Sequence, residues 1–314
     1  MSFSATTKEE LARLETKRKC CELAELASLV RMDGTLQIST NQKYSLNVIT
    51  ESAPVARKLY NLAKKRLELP AGIVVRRKLR LKKNNSYLVK IYPNGVEDLQ
   101  KLGLFNKEGE ILSGISKTLV KRRCDQKAYL RGAFLAGGSI SNPEGNYHLE
   151  IITNDLVLAE DIIGLFSKFG LNAKISVRKK FYVVYLKGSD DIFEFLALIG
   201  AHQALFEFEN IRILKDMRNQ VNRIVNCETA NLNKTVDAAV RQLECIRLID
   251  RTIGLKSLPQ NLYEIARLRM EFPDFSLKEL GEQLNPKVGK SGVNHRLRRI
   301  EEIAEKIQTE NRRE

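Results

Sequence analysis

The sequence predicts an α+β fold in which a duplicated αββαββ unit is followed by an all-helical domain carrying a helix-turn-helix. Three observations predict it. Segments of the first 190 or so residues recur in the same order at displacements of 104, 103 and 102 positions. After Glu209 the apolar pattern is helical only, and near the C-terminus a capping box, a turn and an amphipathic stretch follow one another.

The repeat is read from three matches. Leu26 to Gly34 (LASLVRMDG) corresponds to Leu130 to Gly138 (LRGAFLAGG), Leu46 to Glu51 to Leu149 to Asn154, and Ile73 to Lys78 to Ile175 to Lys180. Each copy opens with an apolar helix ending at glycine, where a left-handed residue would stop it. Alternating runs at Tyr44 to Thr50 and Tyr147 to Thr153 read as strands. Second helices are expected over Ala53 to Leu67 and Leu156 to Phe169, then hairpins ending in Tyr87 to Tyr92 and Phe181 to Leu186.

The last strand pair of each copy is basic. Arg76, Arg77, Lys78, Arg80, Lys82 and Lys83 crowd the first, and Arg178, Lys179 and Lys180 repeat the pattern. Lysines on a sheet edge discourage strand addition, so a solvated hairpin is one reading. The repetition favours the other, a surface that tracks phosphates.

The C-terminal part begins with an apolar-periodic stretch, Ile211 to Val225, and a helix over Thr235 to Thr252. Gly254 and Pro259 punctuate the chain, and a helix over Leu262 to Met270 ends before Pro273. Ser276-Leu277-Lys278-Glu279 is a capping box, and Asn285 to Gly289 reads as a turn. On the helix opening at Lys290, the residues Val293, Leu297, Ile300, Ala304 and Ile307 fall on one face.

Outside that stripe lie Lys290, Ser291, Asn294, His295, Arg296, Arg298 and Arg299, followed by Glu301, Glu302 and Glu305. An ordinary charged helix is the bland reading, but donors gathered at the N-terminal half suit a recognition helix in a DNA groove. Arg298 and Asn294 are the candidates for base edges, since guanidinium suits guanine and carboxamide suits adenine. Lys290 and Arg299 are candidates for phosphates, His295 for a phosphate or a structural hydrogen bond, and Ser276, Lys278 and Lys287 complete the set.

Composition narrows the partners. The chain of 314 residues carries a formal charge of +15, of which +13 falls in residues 1–225 and +2 in residues 226–314. Such an excess favours phosphate backbones. No apolar run approaches a membrane span and no signal-like core opens the chain, so a cytoplasmic protein is expected. Five scattered cysteines, with no CxxC and no histidine pair at ligand spacing, suggest reduced thiols. The adjacent Cys20 and Cys21 read as small core residues, with a reactive pair or half of a metal site as the alternative.

The two nine-residue segments resemble the motif of LAGLIDADG homing endonucleases. That resemblance implies a saddle domain over DNA, motif helices packed through small residues, and an acid before the last glycine of each helix holding catalytic metal. Here Ala27 and Ser28 face Gly132, Ala133 and Ala136 as the small residues. Asp33 retains one acid, but Gly137 stands at the second position. Two carboxylates are needed to place the ions that activate water and stabilise the leaving oxygen. The implied outcome is a kept architecture, a vestigial position at Asp33, no metal, no cofactor and no enzyme activity.

The terminal run SLKELGEQLNPKVGKSGVNHRLRRIEEIAEKI, with YLRGAFLAGGSISNPEGNYHLE, GAHQAL and DMRNQVNRIVNCETANLNKT, resembles the WhiA family of bacterial regulators over nearly the whole chain. The resemblance implies a nucleoid-associated transcription regulator of sporulation, cell division or chromosome segregation, bound to double-stranded DNA and open to a protein co-regulator. The expected domains are 1–125 and 126–220 for the repeats and 221–314 for the helix-turn-helix. A metal-dependent endonuclease and a non-specific nucleoid protein are the competing readings.

Overall fold

The computed structural model describes residues 2–16, 18–39, 43–77 and 85–310, without the side chains of Leu67, Arg77 and Glu310. These residues divide into two compact units, 1–215 and 216–314.

In the first unit, helix α1 spans Phe3–Arg13, started by Ser2, whose Oγ accepts the Ala5 N–H at 3.2 Å. Helix α2, Lys19–Asp33, leads into strands β1, Gly34–Ile38, and β2, Tyr44–Thr50. Helix α3, Ala53–Leu67, is capped by Ser52 and carries proline in its first turn. Strands β3, Ala71–Arg77, and β4, Asn85–Ile91, and the short helix α4, Val96–Lys101, close the first copy.

The second copy repeats the order. Helix α5 is Arg123–Gly137, β5 is Gly138–Ile140 and β6 is Leu149–Thr153. Helix α6, Leu156–Ser167, starts on Asp155, which accepts the Val157 N–H at 2.9 Å. Strands β7, Lys174–Arg178, and β8, Phe181–Leu186, and helix α7, Ser189–Ile199, follow. The sheets have the same antiparallel topology, β1-β2-β4-β3 and β5-β6-β8-β7. Thus each αββαββ unit is present, extended by a further helix, α4 or α7, that the sequence pattern did not single out.

Helices α2 and α5 pack together at the centre of the unit. Ala27 and Ser28 are buried on one and Gly132 and Ala133 on the other; Gly132 sits against Ser28, and a Cβ on it would lie 2.6 Å from the Glu25 carbonyl oxygen. The glycines ending these helices are not left-handed, contrary to expectation: Gly34 has φ −81° and Gly138 has φ −80°. Both already start a strand. A side chain at Gly34 would collide with the Val30 carbonyl oxygen, and one at Gly138 with Phe134, so close approach is what requires glycine.

Charge is buried along the same helix pair. Glu25 is fully enclosed; its Oε1 lies 2.7 Å from Lys58 Nζ and its Oε2 2.9 Å from Arg131 Nη2. Lys58 also donates to the carbonyls of Leu11 and Leu14 at 2.9 and 2.8 Å, and Arg131 to that of Ile199 at 3.2 Å. The carboxylate therefore ties α2 to α3 and α5, and its two partners hold the ends of α1 and α7.

Helix α8, His202–Thr252, is continuous over 51 residues, where the sequence pattern suggested two helices. No glycine or proline interrupts those residues, and the polar segment between the expected helices is helix-compatible. The apolar period over Ile211 to Val225 does not mark a buried face either, since Leu214, Met217, Val221 and Ile224 are exposed. Among the described residues, no helix is long and apolar enough to cross a membrane.

In the second unit, the end of α8 supplies Ile246 and Ile249 to a separate core with helices α9, Gln260–Glu271, α10, Leu277–Gln283, and α11, Lys290–Glu310.

Candidate nucleic-acid interface

Helices α10 and α11 are positioned by short-range devices. The Ser276 N–H donates to Glu279 Oε2 at 2.7 Å, and the Glu279 N–H donates to Ser276 Oγ at 3.4 Å, completing the capping box. The Ser276 N–H, and after it the Ser276 side chain, holds the Glu279 carboxyl below its ordinary value. Val293, Leu297, Ile300 and Ala304 are buried as the spacing predicts, and Ile307 packs at their edge.

Two residues that the sequence reading missed fix the turns. Arg269, buried on α9, donates through Nη1 to the carbonyls of Phe275 at 2.6 Å and Pro273 at 3.3 Å, pinning the α9–α10 connection. Its signal was an arginine in step with buried Leu262, Ile265 and Ala266. Gly281 sits where a Cβ would overlap the Val288 carbonyl oxygen, and its own carbonyl accepts the Val288 N–H at 3.0 Å. A lone glycine inside a helical pattern was the available clue.

The predicted reading residues divide by accessibility. Lys278, Lys287, Lys290, Ser291, His295, Arg298 and Arg299 are exposed, whereas Ser276, Asn294 and Arg296 are half-buried. At about 100° per residue, Ser291, His295 and Arg298 lie opposite the buried stripe, Asn294 at its side and Arg296 against its margin. Ser276 is engaged in the cap. Arg299 Nη1 lies 3.5 Å from Glu302 Oε2, while Arg298 forms no ion pair among the described residues.

The basic hairpins are less uniform. Arg76, exposed, pairs in register with Ser86 on the sheet face turned away from buried Leu46, Val48, Val89 and Ile91, and Lys90 shares that face. Lys78, Arg80, Lys82 and Lys83, expected to contact phosphates, lie outside the described residues, as does the Arg77 side chain. In the second copy Arg178 Nη1 is 3.7 Å from Glu150 Oε2, and His148 Nε2 is 3.2 Å from the same oxygen. Lys179, with φ 56°, and Lys180 form the exposed hairpin turn.

At their C-terminal ends α2 and α5 themselves supply one acid, Asp33. It lines a recess with Lys8, Glu9, Thr50, Glu51, Tyr87 and Ala136. Surrounding protein raises its carboxyl from the ordinary value, and Lys8 opposes the rise. Lys8 reaches in from α1, donating to the Ala136 carbonyl at 3.3 Å, and burial draws its ammonium down to about 8. At Gly137 a Cβ would lie 2.5 Å from the Ile152 carbonyl oxygen and 2.8 Å from Met32 Cε. A second carboxylate has no room there, and a lysine stands beside the first.

Comparison with known proteins matches both units. Residues 19–105 match the WhiA N-terminal LAGLIDADG-like domain, residues 126–218 the WhiA LAGLIDADG-like domain, and residues 221–304 the WhiA C-terminal HTH domain. A probable cell division protein WhiA of Desulfitobacterium hafniense (strain Y51) is 69% identical over 313 residues, 100% of this chain and 98% of its own length. Another, of Heliobacterium modesticaldum, is 57% identical, covering 97% of this chain and 96% of its own length. The solved structure of full-length DUF199/WhiA from Thermatoga maritima superposes with a TM-score of 0.60 at 29% identity, covering 98% of this chain and 99% of the other.

The fold thus defines a duplicated LAGLIDADG-like unit joined to a helix-turn-helix unit. The chain belongs to the WhiA family.

Proposed function

We propose that the protein is a sequence-specific DNA-binding transcription regulator in which α11 reads bases and the duplicated unit has no nuclease activity. The observation that carries the reading is the distribution of donors on α11. Its buried stripe leaves Ser291, His295 and Arg298 facing outward with Asn294 beside them, and acids follow only from Glu301 onward. Arg298 and Asn294 contact base edges; Lys290 and Arg299 contact phosphates, with Lys278 and Lys287 alongside. The excess charge of residues 1–225 adds non-specific attraction through exposed cations such as Arg76, Lys179 and Lys180. Relatives named probable cell division proteins support a role in division. Chromosome segregation, sporulation, association with the nucleoid and a protein co-regulator extend the proposal beyond that support.

Genome-wide mapping of bound sites, followed by affinity measurements at those sites, tests this. The full chain should occupy discrete promoters, and Arg298→Ala should weaken them by about 5- to 150-fold, the equivalent of about 1–3 kcal/mol for one bidentate base contact. Lys290→Ala should weaken all duplexes alike and lower the salt slope by about one. Equal affinity of the full chain for unrelated duplexes would end the claim of a sequence reader.

The proposed lack of nuclease activity rests on motif helices that supply one acid, Asp33, on the blocked position at Gly137 and on the neighbouring Lys8. Incubation with plasmid and target DNA in Mg²⁺ or Mn²⁺ should leave both intact. Cleavage that disappears in Asp33→Ala would restore the endonuclease reading.

A further inference from the structure

The other end of the α2 and α5 pair holds a group of ligands that neither the family relationship nor the DNA-reading proposal uses. Cys20 and Cys21 stand in the first turn of α2, and Cys124 and Asp125 occupy the same places in α5, at the displacement of 104 residues that relates the motif helices. Packing the two helices brings these four residues together. Their three sulfurs and one carboxylate oxygen all lie within 4.8 Å of one another.

We propose that Cys20, Cys21, Cys124 and Asp125 form a binding site for a soft tetrahedral divalent cation of the Zn²⁺ class, clamping the N-terminal ends of the two motif helices.

The spacing suits it. With Zn–S near 2.3 Å and Zn–O near 2.0 Å, the edges of a tetrahedral site are roughly 3.5–3.8 Å. Asp125 Oδ1 is 3.7 Å from Cys21 Sγ and 3.5 Å from Cys124 Sγ, so these two edges already fit, and the others, all within 4.8 Å, close by about 1 Å at most on binding. The carboxylate is also oriented independently of any ion, because its Oδ2 accepts the Arg122 N–H at 3.3 Å as part of the α5 cap, leaving Oδ1 toward the sulfurs. Such outer bonds are what fix a metal ligand in place.

Cys21 and Asp125 are buried, whereas Cys20 and Cys124 are only half-buried, which leaves an entry path. Binding is a simple exchange: the three thiols each lose a proton to solvent, the ionised Asp125 gives its oxygen, and the dication gains four bonds with no change of oxidation state. Four anionic ligands around a dication leave net negative charge. The positive ends of α2 and α5 offset it, as does Arg18, whose Nη1 lies 3.6 Å from Cys124 Sγ.

The test uses the reduced, metal-stripped full chain under anaerobic conditions, titrated with Zn²⁺ against a chromophoric chelator and separately with Co²⁺. We expect one Zn²⁺ per chain and a tetrahedral Co²⁺ spectrum with thiolate charge transfer. Cys20→Ser and Cys124→Ser should each weaken Zn²⁺ binding by more than about 100-fold, beyond the usual loss for an outer-shell change. Asp125→Asn, which preserves a capping residue, should weaken it with the helical circular dichroism unchanged. Cys227→Ser and Cys245→Ser, outside the cluster, should have no effect. The proposal is overturned if the unaltered chain binds Zn²⁺ no more tightly than the Cys20→Ser/Cys124→Ser double variant, or if cobalt shows no thiolate band. A Cys124 disulfide to Cys20 or Cys21, found by mass spectrometry in a protein whose reduced form ignores Zn²⁺, would make the cluster a redox pair instead.

Discussion

Glu25→Ala should destabilise the first unit by about 3–5 kcal/mol, the range for removing one partner of a buried ion pair. The magnitude follows from what remains. Lys58 and Arg131 are almost fully enclosed on either side of this carboxylate, which among the described residues is the acid paired with both, Glu15 adding a weaker attraction to Lys58. Each cation also holds backbone carbonyls, of Leu11 and Leu14 or of Ile199, so its retreat to solvent would strip the ends of α1 and α7 as well. The expected consequence reaches well beyond one side chain.

Hydrogen exchange read by mass spectrometry separates the two units within the full chain. Peptides from α2, α3 and α5 should lose at least about 100-fold in protection, the equivalent of about 3 kcal/mol, while those from α10 and α11 keep theirs. The triple change Glu25→Leu, Lys58→Met and Arg131→Met should restore only part of the loss. Apolar replacement removes the uncompensated charge but also takes away the side-chain donors to the Leu14 and Ile199 carbonyls and leaves that of Leu11 with the Leu14 N–H alone. A loss below about 1 kcal/mol for Glu25→Ala would mean that the cations find water or each other tolerable, and the ionic tie would be structurally minor.

Gly281→Ala is the second large effect, and two principles disagree about its sign. Helix propensity favours alanine over glycine by about 1 kcal/mol in a helix interior. Packing opposes it, because the new Cβ would overlap the Val288 carbonyl oxygen and lie 3.1 Å from Val293 Cγ2. Overpacking of this kind costs about 1–3 kcal/mol, and backbone is the least able neighbour to yield. Val288 is also held to Gly281 by the bond that closes the turn. The net result should be a loosened α10–turn–α11 arrangement, with exchange protection lost in the second unit only and specific DNA binding reduced by at least about 10-fold. A stabilised variant that binds normally would show that the turn can move aside without consequence.

Local order was legible because its signals repeat over a few residues. The strand expected at Tyr44–Thr50 from alternation and the helix expected at Ala53–Leu67 have the bounds the structure shows. The buried stripe of α11 follows from steps of three and four, and the capping box at Ser276 from two side chains three positions apart. Where the reading failed, an equally local pattern had no way of naming its partner. The apolar period of Ile211 to Val225 is present, yet those side chains are largely exposed on α8. Gly34 and Gly138 were recognised as necessary, but for a left-handed turn they do not make, since the constraint comes from Val30 and Phe134 pressing on a strand start.

The same division runs through the sites. The donors of α11 could be named from sequence because one helix carries them all, and its periodicity separates outward positions from the core. That Asp33 lacks a second acid was also readable, from two aligned motifs. By contrast, Lys8 arrives beside Asp33 from a different helix, Arg269 acts on a connection, and Cys20 and Cys21 gave only half of a ligand set until α5 supplied Cys124 and Asp125. By itself the sequence determined most of the elements, the duplication and the helix-turn-helix, all of which rest on spacing along the chain. Tertiary structure alone decided which residues a hundred positions apart share a burial site, because close packing of α2 on α5, with Gly132 against Glu25 and Ser28, sets those distances, and no local period encodes them.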